Sequence, residues 1–259
     1  MDESIKLETL EGIALLTLNR PSSFNAFGRE MIHRLAELLS EASMDHDIKG
    51  VVITGQGKAF CAGGDLRWLA GSGKRYGEAF HLLAASYHKA IVEIRRMQKP
   101  VVAAVNGLAA GGGFSMALAC DFRVMEASAL FKQGYTSNGL SIDGGGTFTL
   151  PRLVGLARAM EIAVFDRPIS PEQALSWGLV TEVAAEGKSV ERARAMIQEI
   201  LRGASSSFLA SKALLTDSFH TSLETQLEKE RHFLAWCADH RNGKEGIAAF
   251  LEKRSPRYL

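Results

Sequence analysis

The chain has 259 residues, enough for one large α/β domain or a domain with a small appendage; 46% are hydrophobic and 23% charged, as in a globular protein with a sizeable core. The formal net charge of +1 gives no reason to expect nucleic acid or an anionic membrane as a partner. No apolar run reaches the roughly 18 residues that span a bilayer. The acidic start, Met1-Asp2-Glu3-Ser4, carries no signal-peptide core, and Cys61, Cys120 and Cys237 show no metal-ligand spacing, so the expectation is a cytoplasmic protein with free thiols and no metal site.

Taken in chain order, Ile13 to Leu18 and Val51 to Thr54 read as strands. Between them Met31, Ile32, Leu35, Leu38, Leu39 and Ala42 fall on one helical stripe. A second amphipathic helix carries Phe80, Leu83, Tyr87, Ile91 and Ile94, ends near Lys99-Pro100, and gives way to a buried strand over Val101 to Val105. Strand, helix, strand, helix predicts parallel βαβ units. Ser170-Pro171-Glu172-Gln173 has a cap, a first-turn proline and the reciprocal glutamine of a capping box, and Gly178 closes that helix. Strand signals end at about residue 189, and residues 206–253 read as helices, with Leu223, Leu227 and Leu234 on one face. The division expected is an α/β core over 1–200 and a helical region over 201–259.

Two glycine-rich turns each follow a predicted strand, Gly57 to Leu66 and Asn106 to Ser115. Glycine lets a ligand approach the main chain, and the first amides of a helix are free to donate. Two such amides aimed at one point make an oxyanion hole. Each turn can equally be a plain strand-to-helix connection. Neither fits the dinucleotide or P-loop spacing.

The wording of several segments carries a resemblance. They are Leu18-Asn19-Arg20-Pro21 with Asn25-Ala26, Ala59 to Leu66, Pro100 to Gly113, Leu150 to Gly155, Ala174 to Val180 and Glu245 to Arg254. In these, nearly end to end and in the same order, the chain resembles the crotonase (enoyl-CoA hydratase/isomerase) superfamily. The resemblance implies a spiral core of repeated ββα turns, a helical C-terminal region and assembly as trimers or pairs of trimers. It implies an acyl-CoA thioester as substrate, with coenzyme A arriving as part of it and no permanently bound cofactor. The thioester carbonyl is expected on the amides of Gly64 and Gly112, CoA along Ala62, Gly63, Gly64, Asp65 and Leu66, and the tail residues Phe250 and Lys253 on CoA as well.

Departures from the family pattern say more about the reaction. Hydratases of the family use two glutamates, at positions that hold Ser115 and Tyr135 here. One carboxylate remains near by, Asp143 in Ser141-Ile142-Asp143-Gly144-Gly145-Gly146-Thr147. Its position resembles that of the acid/base aspartate of dienoyl-CoA and ring-epoxide isomerases, and of the nucleophilic aspartate of 4-chlorobenzoyl-CoA dehalogenase. In a mostly apolar pocket a carboxylate's pKa rises and it can shuttle a proton; kept ionised, it can attack carbon. The plainer alternative is a helix cap before Thr147. His88 and Tyr135 match the dehalogenase's His and Trp positions, although His88 also reads as a half-buried structural histidine. The expectation is therefore isomerisation by proton shuttling on Asp143, with aryl- or acyl-CoA dehalogenation or hydrolysis as the alternative. Two further alternatives stand beside it: a serine hydrolase using Ser115, Asp143 and His220, and a CoA-thioester-binding module without turnover.

Overall fold

The computed structural model describes residues 4–258; the acidic stretch Met1 to Glu3 lies outside them. Strands β1 (Ile5–Leu10) and β2 (Ile13–Leu18) form an antiparallel hairpin, Ile5 opposite Leu18 and Leu10 opposite Ile13. Glu11 and Gly12 turn between them at φ 52° and 74°, the positive values that suit a two-residue hairpin to strand twist. Every residue of β2 is buried, which explains its unbroken apolar run. Helix α1 (Arg29–Met44) buries all six residues of the expected stripe.

The core then repeats one unit. Strand β3 (Gly50–Gly55) is followed by β4 (Ala59–Cys61), the short helix α2 (Leu66–Ala70) and the long helix α3 (Tyr76–Arg96). Next come β5 (Val101–Val105), β6 (Leu108–Ala110) and α4 (Gly112–Ala119), and after them β7 (Phe122–Glu126), β8 (Leu130–Lys132) and α5 (Gly146–Phe165). Within each unit the first strand joins the larger sheet and the second joins the smaller. Helix α6 (Pro171–Ser176) leads to β9 (Glu182–Ala184), which ends the larger sheet. Strand order there is β1-β2-β3-β5-β7-β9, parallel from β2 onward, and in the smaller sheet β4-β6-β8, all parallel. This is the expected spiral of ββα turns. The three-residue strands of the smaller sheet lie inside what the sequence presents as glycine turns and connecting segments, since three residues are too few to display a strand period.

Helix α5 is interrupted at Gly155, whose φ of 75° and ψ of 162° are not helical. Helix α6 starts with the expected capping box. Ser170 Oγ accepts from the Gln173 N–H at 3.3 Å, and Gln173 Oε1 accepts from the Ser170 N–H at 3.0 Å.

The chain divides into two compact units, residues 1–194 and 195–259, the second beginning within α7 (Ser189–Arg202). That second unit holds α8 (Ser205–Asp217), α9 (Leu223–Asp239) and α10 (Arg241–Leu251). Leu223, Leu227 and Leu234 all lie on α9 with exposed side chains. No helix among the described residues is long and apolar enough to cross a membrane.

The capping box gives a direct check on local structure. Ser170→Ala removes an acceptor from the α6 N-terminus and is expected to lower stability by about 1 kcal/mol in urea unfolding. An unchanged midpoint would contradict the cap's contribution.

Candidate active site

The site is assembled from the glycine turns of the first and second ββα units and the loop that follows β8. The first turn is anchored by Asn25, whose side chain is fully buried. Its Oδ1 accepts from the Arg20 N–H at 2.8 Å, and its Nδ2 donates to Gln56 O at 3.0 Å and Ala59 O at 2.7 Å. Asp65 closes the turn. Its Oδ1 accepts from the N–H groups of Arg67 and Trp68 at 3.1 Å each, capping α2, while Oδ2 meets Arg20 Nη2 at 3.0 Å. The Asp65 carboxylate is thus engaged by the fold, and its main chain is the part left to face a ligand.

Between these anchors the chain makes a parallel bridge, with Phe27 N–H donating to Gly63 O at 2.8 Å and Asp65 N–H to Phe27 O at 2.9 Å. Main-chain groups alternate along an extended segment, so the Gly64 N–H points away from Phe27. Gly64 lines a cavity of about 710 Å³, and Gly112, the first residue of α4, lines the same cavity. The Gly112 N–H is one of the amides that a helix leaves unpaired at its start.

Close main-chain contact holds the two turns together. A Cβ on Gly63 would stand 2.7 Å from Gly112 N, and one on Gly113 would stand 1.9 Å from Cys61 O. No side chain fits at Gly113 unless the turns separate. Cys61 is buried in this contact, and burial pushes its thiol pKa up to about 12, partly offset by the Gly63 N–H. It is a packing residue rather than a nucleophile.

Tyr87, which the sequence presents only as a stripe residue of α3, proves central. Its hydroxyl donates to Gly112 O, and its ring lies 4.8 Å from that of Phe27, centroid to centroid. A Cβ on Gly144 would fall 2.3 Å from the Tyr87 ring, so the loop carrying Asp143 rests against the same side chain. Gly144 also has φ 63°, so the loop needs glycine there twice over. Burial, and then the neighbouring Tyr135, Cys61 and Asp143 charges, hold the Tyr87 phenol well above its ordinary pKa, so it remains a donor.

Asp143 lines the cavity but is not walled in by apolar groups as expected: its side chain is 36% exposed. Nor does it cap the following helix. The residue before α5 is Gly145 and makes no side-chain cap; Asp143 contributes only its carbonyl, which accepts from the Gly146 N–H at 3.1 Å. The carboxylate turns instead to His88, with Nε2 to Oδ1 at 2.6 Å. The His88 side chain is 53% exposed, so it is an engaged surface residue rather than a half-buried structural one. Tyr135 completes the wall. Burial and then the Asp143 charge raise its pKa, while the Ser115 hydroxyl and the Asp143 N–H lie near enough to favour the phenolate in part.

Ser115 itself is buried on α4, and its Oγ has no hydrogen bond of good geometry among the described residues. A Cβ on Gly146 would sit 2.7 Å from that oxygen. A serine so enclosed has no histidine base and no exposed elbow, which removes the support for a serine hydrolase. The remaining cavity wall is mostly apolar, from Leu66, Leu69, Phe80, Leu83 and Ile142 among others. Ala62 is held by its N–H to Phe24 O at 3.0 Å. Phe250 and Lys253 belong to the second unit; Phe250 lies on α10 with its side chain 83% exposed, and Lys253 follows at φ 55°. No cluster of three or more metal-ligating side chains occurs among the described residues.

Known proteins resemble this chain along nearly its whole length. The family described as enoyl-CoA hydratase/isomerase matches over residues 8–259. A probable enoyl-CoA hydratase of Rhodobacter capsulatus is 38% identical, with 98% of this chain and 97% of the relative covered. The 1,2-epoxyphenylacetyl-CoA isomerase of Escherichia coli is 34% identical over 100% of this chain and 99% of its own. Among solved structures, an enoyl-CoA hydratase from Polaromonas superposes with a TM-score of 0.92 at 39% identity, covering 98% of this chain and 99% of that one.

The Tyr87 brace makes a separate expectation. Tyr87→Phe keeps the ring contacts and removes only the donor to Gly112 O; stability is expected to fall by about 1 kcal/mol in chemical denaturation. An unchanged unfolding midpoint would show that the bond contributes nothing.

Proposed function

The chain belongs to the enoyl-CoA hydratase/isomerase family, and within that family of acyl-CoA enzymes we propose that it isomerises an enoyl-CoA, with Asp143 as the proton carrier. One observation carries the proposal: among the described residues a single carboxylate, Asp143, lines the cavity that Gly64 and Gly112 also line, while the positions of the hydratase glutamates hold Ser115 and Tyr135. Hydration needs groups that handle both the water and its proton. Moving one proton between two carbons needs a single base that becomes the acid.

In the proposed sequence the thioester oxygen accepts from both amides. Asp143 takes a proton from the acyl chain, and the electron pair passes through the carbonyl to that oxygen as an enolate. The enolate then takes the proton back from the Asp143 carboxylic acid at another carbon, and the double bond has moved. Nothing is added or lost. Each amide strengthens its hydrogen bond as charge develops on the oxygen, and one such donor typically supplies about 3–4 kcal/mol of transition-state stabilisation.

A second reading has its own observation in favour, the set of Asp143, His88 and Tyr135. There the carboxylate attacks an acyl or aryl carbon, and His88 activates the water that releases the product. The relative whose name includes an epoxide isomerase supports the first reading, because that name describes isomerisation of a CoA thioester. The proposal extends to assembly as trimers or pairs of trimers in which Phe250 and Lys253 reach CoA.

The test is a panel of acyl-CoAs in deuterated water with Asp143→Asn as the control. We expect deuterium uptake and a shifted double bond in the wild type. In the variant, turnover should fall by at least about 100-fold, with thioester affinity near wild type. A variant keeping most of its kcat would overturn the role of Asp143. Halide or free-acid release in place of isomerisation would establish the second reading, and binding without turnover would show a binding module.

A further inference from the structure

The His88–Asp143 pair joins two separate spaces. Asp143 lines the site cavity, whereas His88 lines a groove of about 470 Å³ on the outer side of the wall, where α1 and α3 pack together. Charged and titratable groups of that groove are His33, Glu37, Lys89 and Glu93, with His33 Nε2 lying 3.3 Å from Glu37 Oε1. His88 therefore touches the carboxylate with Nε2 while its ring borders solvent that does not pass through the site. Successive residues of a helix are about 100° apart. This is why Tyr87 points into the glycine turns while His88 lies along the wall.

We propose that His88 is the route by which the Asp143 proton exchanges with solvent while an acyl chain fills the cavity. The inference rests on the proton-shuttling reading above. The steps balance. Once protonated by the substrate, Asp143 gives its proton to His88 Nε2; the imidazolium, whose side chain is half exposed, swings toward the α1/α3 groove and there trades its Nε2 proton for one from water. Swinging back, Nε2 gives that solvent proton to the carboxylate, and the imidazole is neutral again. No net proton is gained; a substrate proton has been replaced by one from solvent. His88 acts through Asp143 and touches no reacting carbon, so it is a relay residue rather than a catalytic one.

The experiment follows a substrate deuterated at the carbon that loses hydrogen, converted in ordinary water by the full chain, with the deuterium left in the product measured by mass spectrometry. We expect the wild type to lose most of the label. His88→Gln keeps a hydrogen-bonding group beside Asp143 but cannot carry a proton through, and retention is expected to rise several-fold. A merely structural role for His88 would lower the rate without altering the retained fraction. Ala85→Trp makes the same test from outside, because Ala85 lines the groove one helical turn before His88 and touches neither Asp143 nor the cavity. It is expected to raise retention at nearly unchanged kcat, and it carries the test if the glutamine variant fails to fold or turn over. Complete retention in the wild type, or equal retention in wild type and the Ala85 variant, would overturn the relay and leave the isomerase reading standing. A wild type that isomerises no thioester of the panel would overturn both.

Discussion

Everything at this site depends on the main-chain contact between two glycine turns. Gly113 approaches Cys61 O so closely that no side chain could stand there, and Gly63 leaves the same absence of room beside Gly112 N. Ordinary residues would hold the turns several ångströms apart. Pressed together, they present two amides to one cavity, one from an extended segment and one from a helix start. Their direction follows from the Phe27 bridge in one case and from α4 in the other. Beside this contact the buried strand β4 pairs in parallel with β6, and β8 completes the smaller sheet.

Helix α3 sets the rest of the site against that contact. The helix packs on α1, and over its 21 residues it buries one stripe in the core, which fixes its rotation. With the rotation fixed, Tyr87 braces both the Gly112 carbonyl and the Gly144 loop, and His88 meets Asp143 from the side. One turn of one helix thus ties the amide-bearing turns to the carboxylate. The carboxylate's partner is an imidazole at the surface, an arrangement suited to a group that must change protonation state during a reaction rather than one held permanently charged.

Much of this was legible in the sequence, and for identifiable reasons. Apolar spacing gave β2, α1, α3 and β5, because each buries a continuous stripe or run. The box at Ser170 was readable because its side chains act on their own helix. The glycine turns are readable as places of close approach, and the family resemblance puts Gly64 and Gly112 on them and Asp143 on a separate loop. Tyr87 was not legible as a site residue, since its apolar ring satisfies the helix stripe and nothing local shows where its hydroxyl points. For His88 the sequence leaves both a site position and a half-buried structural histidine open, because nothing local shows that its partner lies 55 positions away. An apolar enclosure and a helix cap both fit the sequence around Asp143, but its side chain stands partly open to solvent and against His88 of α3. The short strands β4, β6 and β8 escaped because three residues hold no measurable period.

The central claim is that the Gly64 and Gly112 amides together receive the thioester oxygen. It is tested most directly by isotope-edited infrared spectroscopy of an acyl-CoA carrying carbon-13 in its carbonyl, bound to the Asp143→Asn protein so that no turnover intervenes. Two donors on one oxygen weaken the carbon–oxygen bond, so the band should move to lower wavenumber than for the same thioester in water. A band at the solution position would mean that the carbonyl is not held by these amides, and the account would fail at its foundation.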